Sequence, residues 1–209
     1  RIPLAFPSYK INWEKVKNAI TSKTKAIIIN SPHNPTGSVL AHEDMLILQD
    51  LLRDTSIFLI SDEVYEHLVF DGLRHNSILK YPELFSRSFV CFSFGKVYNC
   101  TGWKLGYCVA PSALTAEFRK IHQFDAFCCF TPTQVALAAH LQKEERYLGL
   151  SSFMQQKRDL FLHEMKASPF TMLNSSGSYF VCATYEKLGE MPAMELAIQL
   201  TKTMGVATI

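Results

Sequence analysis

The chain of 209 residues is 48% hydrophobic and 19% charged, which fits a globular protein long enough for one large domain and part of another. Its formal net charge of +2, with no lysine or arginine cluster, points away from nucleic acid, and no apolar run reaches the length of a membrane span. Six cysteines, Cys91, Cys100, Cys108, Cys128, Cys129 and Cys182, lack CxxC or Cys/His metal spacing and mostly fall in apolar runs, which predicts reduced, buried thiols in a cytoplasmic compartment and neither a disulfide framework nor a metal site.

The chain opens Arg1-Ile2-Pro3-Leu4 without an initiator Met and reads as the interior of a longer polypeptide. Arg1 to Pro7 is predicted as an edge strand, and Asn12 or Ile11 opens a short amphipathic helix through Ile20. Ala26-Ile27-Ile28-Ile29 is a branched run of the kind buried on both faces of a parallel sheet. Two prolines and a glycine in Asn30-Ser31-Pro32-His33-Asn34-Pro35-Thr36-Gly37 then force a loop. A helix follows over about His42 to Arg53, with Glu43 and Asp44 in its first turn and Met45, Leu48 and Leu52 on one stripe. Ile57 to Ile60 is a second buried strand, ending at Ser61-Asp62-Glu63-Val64-Tyr65, and the right-handed crossover rule makes the two strands parallel neighbours or nearly so. Asp71-Gly72 is a turn and Tyr81 to Phe85 a short helical piece.

Two short runs that suit strands, Ser88 to Phe92 and Leu105 to Ala110, flank the stretch from Ser93 to Tyr107. A parallel crossover usually needs about a dozen residues or more, so this shorter connection predicts an antiparallel return that puts Lys96 and Lys104 on one sheet edge. Helices are predicted over about Ala113 to Phe127, Pro132 to Leu141 with Thr131 as N-cap of a capping box closed by Gln134, and Glu145 to Met165. Phe124 to Phe130 reads as a helix-end core patch, with the wall of a pocket for an apolar side chain as the alternative. Strands over Phe170 to Leu173 and Ser178 to Ala183, a helix over about Pro192 to Met204, and Val206 to Ile209 close the chain. The change of pattern places a boundary near residue 155. Residues 1–155 form a large α/β domain with a mostly parallel sheet flanked by helices, and residues 156–209 begin a small α+β domain.

Ligands of an open α/β sheet gather beyond the carboxyl ends of its strands. Asn34, Asp62 and Lys96 each follow a strand closely, so three polar groups from separate segments converge as a cofactor pocket requires. Lys96 follows Gly95, which lets backbone approach closely, and its apolar flank desolvates the amine into a nucleophile toward an aldehyde; a solvated surface lysine is the plainer alternative. Taken singly, Asp62 also reads as the cap of the following turn, Asn34 as a turn residue before proline, Tyr65 as a core aromatic and Ser93 as a strand-end hydroxyl. Thr101, Gly102 and Trp103 shape the turn, and His33 and His122, the two histidines near the pocket, read as structural or solvated.

In order, Asn34-Pro35-x-Gly37, Asp62-x-x-Tyr65, Ser93-x-Gly95-Lys96 and Lys104 resemble the pyridoxal-phosphate-dependent aminotransferases of fold type I, class I/II, over essentially all 209 residues. The nearest likeness is to the methionine and kynurenine aminotransferases. The resemblance implies pyridoxal 5'-phosphate as cofactor, a Schiff base at Lys96, Asp62 at the pyridinium nitrogen, Tyr65 and Asn34 at the ring hydroxyl oxygen, and Ser93 and Lys104 at the phosphate. Lys104 stands where many members carry Arg, as a point charge in place of a bidentate fork. Gly177 and Tyr179 match a segment lining the substrate side. The activity implied is transfer of the amino group of a neutral sulfur-containing or aromatic amino acid to a 2-oxo acid, in a homodimer. The family's glycine-rich phosphate loop, ring-stacking aromatic and carboxylate-binding Arg have no counterpart in these residues, as expected of a fragment. Two alternatives share the motifs: a pyridoxal-phosphate-dependent carbon–sulfur β-lyase, and a non-catalytic aminotransferase-like ligand-binding module, against which the intact Lys96, Asp62 and Tyr65 argue.

Overall fold

Asn12 accepts a hydrogen bond from the Lys15 amide at 3.0 Å and so starts helix α1, Trp13–Ala19, in the computed structural model, which describes residues 1–143 and 145–208. Strand β1, Ala26–Asn30, leads through the proline loop to α2, His42–Leu52, and back to β2, Phe58–Asp62. Asp44 in the first turn of α2 accepts from the Ala41 amide (2.8 Å) and from Trp13 Nε1 (2.8 Å), so one carboxylate caps α2 and docks α1 against it. Met45, Leu48 and Leu52 are buried against Ile29, Leu59, Val90 and Phe92 of the sheet, as the stripe in the sequence predicts. Burying each such side chain contributes about 1.5–3 kcal/mol, an upper figure because the unfolded chain already hides some apolar surface.

After the short helix α3, Pro82–Phe85, strand β3, Ser88–Ser93, joins the sheet; a one-turn helix α4, Phe94–Val97, and a 3-10 turn, Thr101–Trp103, lead to β4, Gly106–Val109. The sheet order is β1-β2-β3-β4, with β1, β2 and β3 parallel and β4 antiparallel to β3. Helices α5, Ser112–Asp125, and α6, Thr131–His140, follow. Past these, α7, Glu145–Leu148, precedes α8, Leu150–Glu164, a two-stranded ladder of β5, Thr171–Met172, with β6, Ala183–Thr184, and α9, Ala193–Gln199.

Several expectations change. Arg1 to Pro7 is no edge strand: Pro3 and Pro7 lack amide donors, and Ala5 bridges only to Lys10 through a turn in which Tyr9 has a φ of 51°. β1 is outermost, and Ile28 on its second face is 71% exposed, so only one face of the run is covered. The predicted helix from Glu145 breaks at Gly149, and residue 144 lies outside the described residues. α6 begins at Thr131 itself without a side-chain cap; Thr133 Oγ1 and Gln134 Nε2 instead donate back to the carbonyls of Phe130 and Cys129. The strand expected over Ser178 to Ala183 shrinks to Ala183–Thr184, because the backbone at 176–178 bonds to residues 68–70. The last helix passes into a π-helical turn, Leu200–Met204. Phe124, Phe127 and Phe130 form no core patch; they are exposed at the end of α5 and the start of α6.

Candidate active site

The parallel strands β1, β2 and β3 end together, and their last residues define one edge. Asn30 stands in register with Asp62, and Asp62 with Cys91; Ser93, two residues further along β3, shares that face and pairs with Gly106 of β4. Asn30 Nδ2 donates to the Asp62 carbonyl at 2.9 Å, while Asn30 Oδ1 accepts from the Asn34 amide at 2.8 Å. Asn30 thus sets both the β2 terminus and the loop that carries Asn34. Sequence reasoning left it as the first residue of that loop, although its place at a strand end was the available signal. Asp62 Oδ1 accepts from the Val64 amide at 3.3 Å, so the turn-capping role is real and leaves the other oxygen free of hydrogen bonds among the described residues.

Tyr65 turns inward after β2 and is 2% exposed, held edge-on by Tyr179 and Phe180 with ring centroids 5.4 and 6.5 Å away. Asn34 Nδ2 reaches the Tyr65 hydroxyl at 3.5 Å, and Lys96 Nζ lies 5.6 Å from the centroid of the Tyr65 ring. The Tyr179 hydroxyl donates to the Lys96 carbonyl, and burial pushes that phenol up to about 12, keeping it a proton donor at neutral pH. Asn34 and Lys96 therefore both reach Tyr65, with Tyr179 fixing the lysine backbone.

Lys96 sits in α4 and not in an irregular connection. Ser93 caps that turn by accepting from the Gly95 amide at 3.2 Å. Gly95 is required there, since a Cβ would lie 2.9 Å from Thr101 Cα, and the Gly95 carbonyl accepts from the Cys100 amide and from Thr101 Oγ1 at 3.1 and 3.2 Å. Lys104 closes the 3-10 turn in a left-handed conformation, φ 52°, one residue short of Leu105 and exposed. Its ammonium has no hydrogen bond or ion pair among the described residues, and with Asn34 it is one of the exposed members of the six candidate side chains.

Two acidic residues on the same turn were missed. Glu63 is 1% exposed and accepts from Ser61 Oγ at 2.9 Å, the Ile78 amide at 3.0 Å and His75 Nε2 at 2.6 Å. Burial raises its pKa, but His75 and the other donors outweigh that and hold the carboxyl below its ordinary value. Glu66 accepts from the Tyr107 hydroxyl at 3.3 Å, and burial lifts it to about 7. A groove of about 860 Å³ along the open side of β1 reaches the site only at Asn30 and Asp62 and contains neither Tyr65 nor Lys96.

A family model described as aminotransferase class I and II matches residues 2–209. The methionine aminotransferase of Escherichia coli is 40% identical over 210 aligned residues, covering 100% of this chain and 54% of that protein. A solved Escherichia coli structure identified with a methionine aminotransferase function superimposes with a TM-score of 0.95 at 39% identity, over 99% of this chain and 55% of that one. The kynurenine–oxoglutarate transaminase of Dictyostelium discoideum is 35% identical over 83% of this chain and 41% of its own length. The chain thus spans about half the length of the curated relatives it matches.

Proposed function

The chain belongs to the class I and II aminotransferases, and from that premise we propose that the protein transfers the amino group of a neutral sulfur-containing or aromatic amino acid, methionine or kynurenine-like, to a 2-oxo acid with pyridoxal 5'-phosphate as cofactor. The observation that carries this reading is the approach of both Lys96 and Asn34 to Tyr65, beside the sheet edge that ends in Asp62 and Ser93. The donor set fits the cofactor. Lys96 Nζ is the amine that would hold its aldehyde carbon, Asp62 the carboxylate for the ring nitrogen, Tyr65 and Asn34 the donors for the ring oxygen, and Ser93 with Lys104 the phosphate contacts. When bound, the cofactor supplies an electron sink for the substrate α-carbon. Lys96 Nζ takes the α-proton and returns it, and the buried Tyr65 excludes water from one side of the amine.

The reading carries three further assignments. The division near residue 155 into a large and a small domain is retained, the protein works as a homodimer, and it resides in the cytoplasm, where six free thiols stay reduced. Among the described residues no helix is long and apolar enough to cross a membrane. The test is Lys96→Ala in the full-length polypeptide loaded with pyridoxal 5'-phosphate. Loss of the bound cofactor's visible absorbance band and of amino transfer from methionine is expected; an unchanged spectrum sinks the assignment of Lys96.

A further inference from the structure

We propose that Glu63 and His75 form a buried positioning pair that fixes the direction of the Asp62 carboxylate, an inference that rests on Asp62 as the cofactor's partner. Along β2, Ser61 and Glu63 turn toward the α2 side of the sheet, while Asp62 between them faces the opposite side. Glu63 extends the ladder by one residue, its amide donating to the Cys91 carbonyl at 2.8 Å. Its carboxylate bonds back to Ser61 and across to His75 and Ile78. The segment it grips is itself anchored, with Asn76 Nδ2 on the Leu40 carbonyl at 3.0 Å, Lys80 Nζ on the His75 carbonyl at 2.6 Å, and Ile78 in the core.

A fully buried carboxylate is a poor way to fill a core, where an apolar side chain of similar volume usually serves stability as well or better. His75 Nδ1 is buried without a partner among the described residues, so the ring satisfies Glu63 at the expense of its own second nitrogen. Both observations fit groups kept for direction. With the side chains on either side of it locked and its own carbonyl gripped by Asn30 Nδ2 (2.9 Å) and the Ser31 amide (3.1 Å), Asp62 cannot rotate about its neighbouring peptide planes without breaking several bonds.

Glu63→Gln in the full-length polypeptide tests this. Glutamine keeps an acceptor for Ser61 and Ile78 but turns an amide N–H toward His75 Nε2, forcing the ring proton onto Nδ1, which has no acceptor. Leu84→Val, at another buried site of the same core, is the control, compared at equal loss of Tm by choice of temperature. Glu63→Gln is expected to speed amide exchange at Val64, the donor to Asp62, in the cofactor-free protein. It should also weaken pyridoxal 5'-phosphate binding about tenfold, and lower kcat with KM for the amino donor unchanged. The control should change neither exchange nor cofactor affinity. Matching changes in the control, or wild-type exchange and affinity in Glu63→Gln, overturn the proposal. If Glu63→Gln does not fold, His75→Asn is read by the same criteria. Undiminished cofactor affinity in Asp62→Asn instead removes the premise, a different failure from that of the pair.

Discussion

Glu66 feels the charge of His75 and the Tyr107 hydrogen bond, but desolvation outweighs both, and its carboxyl rises from 4.5 to about 7. A raised folded-state value means folding takes up a proton between those two pH values. The group's contribution to stability is therefore full below about 4.5 and is lost as pH rises through about 7, by roughly 3 kcal/mol at most. Glu66→Gln still accepts from Tyr107 but carries no charge. It should be more stable than the parent at pH 8, with the gap shrinking toward pH 4.5 in urea unfolding; a gap independent of pH would contradict the burial of this carboxyl. The placing of Asn34, Asp62 and Lys96 near one sheet edge was legible because each stands at or a few residues past the end of a strand whose pattern is local. The Glu63–His75 and Glu66–Tyr107 contacts were not, because they join residues 12 and 41 positions apart and a lone histidine or tyrosine carries no trace of its partner.

β3, α4 and β4 together carry Ser93 and Lys96 at one bend. The length of the connection gave the antiparallel return, whereas a four-residue helix over Phe94–Val97 is too short to leave a period. Gly106 marks where the bend is tightest, since a Cβ there would lie 2.5 Å from the Phe92 carbonyl oxygen, beside the Ser93 pair. Gly106→Ala should therefore cost about 1–3 kcal/mol by forcing the strands apart, and weaken cofactor binding; calorimetry with a cofactor titration reads both. The misread strand at Ser178 has a related cause. Its alternation suited a strand, but Ser178 donates its amide to the Leu68 carbonyl, and Ser176 accepts from the Phe70 amide. The segment braces the turn after Tyr65, a tertiary demand that outweighs local propensity.

For the molecule as a whole, the uncovered surface is as informative as the core. Phe124 and Phe127, 87% and 75% exposed, form with Ile121, Phe130 and Val135 an apolar surface at the junction of α5 and α6. If the proposed homodimer forms through it, Phe127→Glu in the full-length polypeptide should shift sedimentation from dimer toward monomer without unfolding the subunit; an unchanged dimer would place the interface elsewhere. The parallel β1–β2 neighbours and the antiparallel return of β4 were readable in advance, but which faces stay bare was not, because that depends on what packs there. Arg158 of α8 carries the last consequence. Its guanidinium forks onto Asp71 at 2.6 and 2.7 Å, donates to the Ser175 carbonyl at 2.8 Å and lies over the Phe70 ring. Tyr179, from the same distal half of the chain, holds the Lys96 carbonyl. A displacement of that half would therefore pull on the Asp71 corner and on the Lys96 backbone together, so the two ends of the chain are mechanically joined at the turn that carries the lysine.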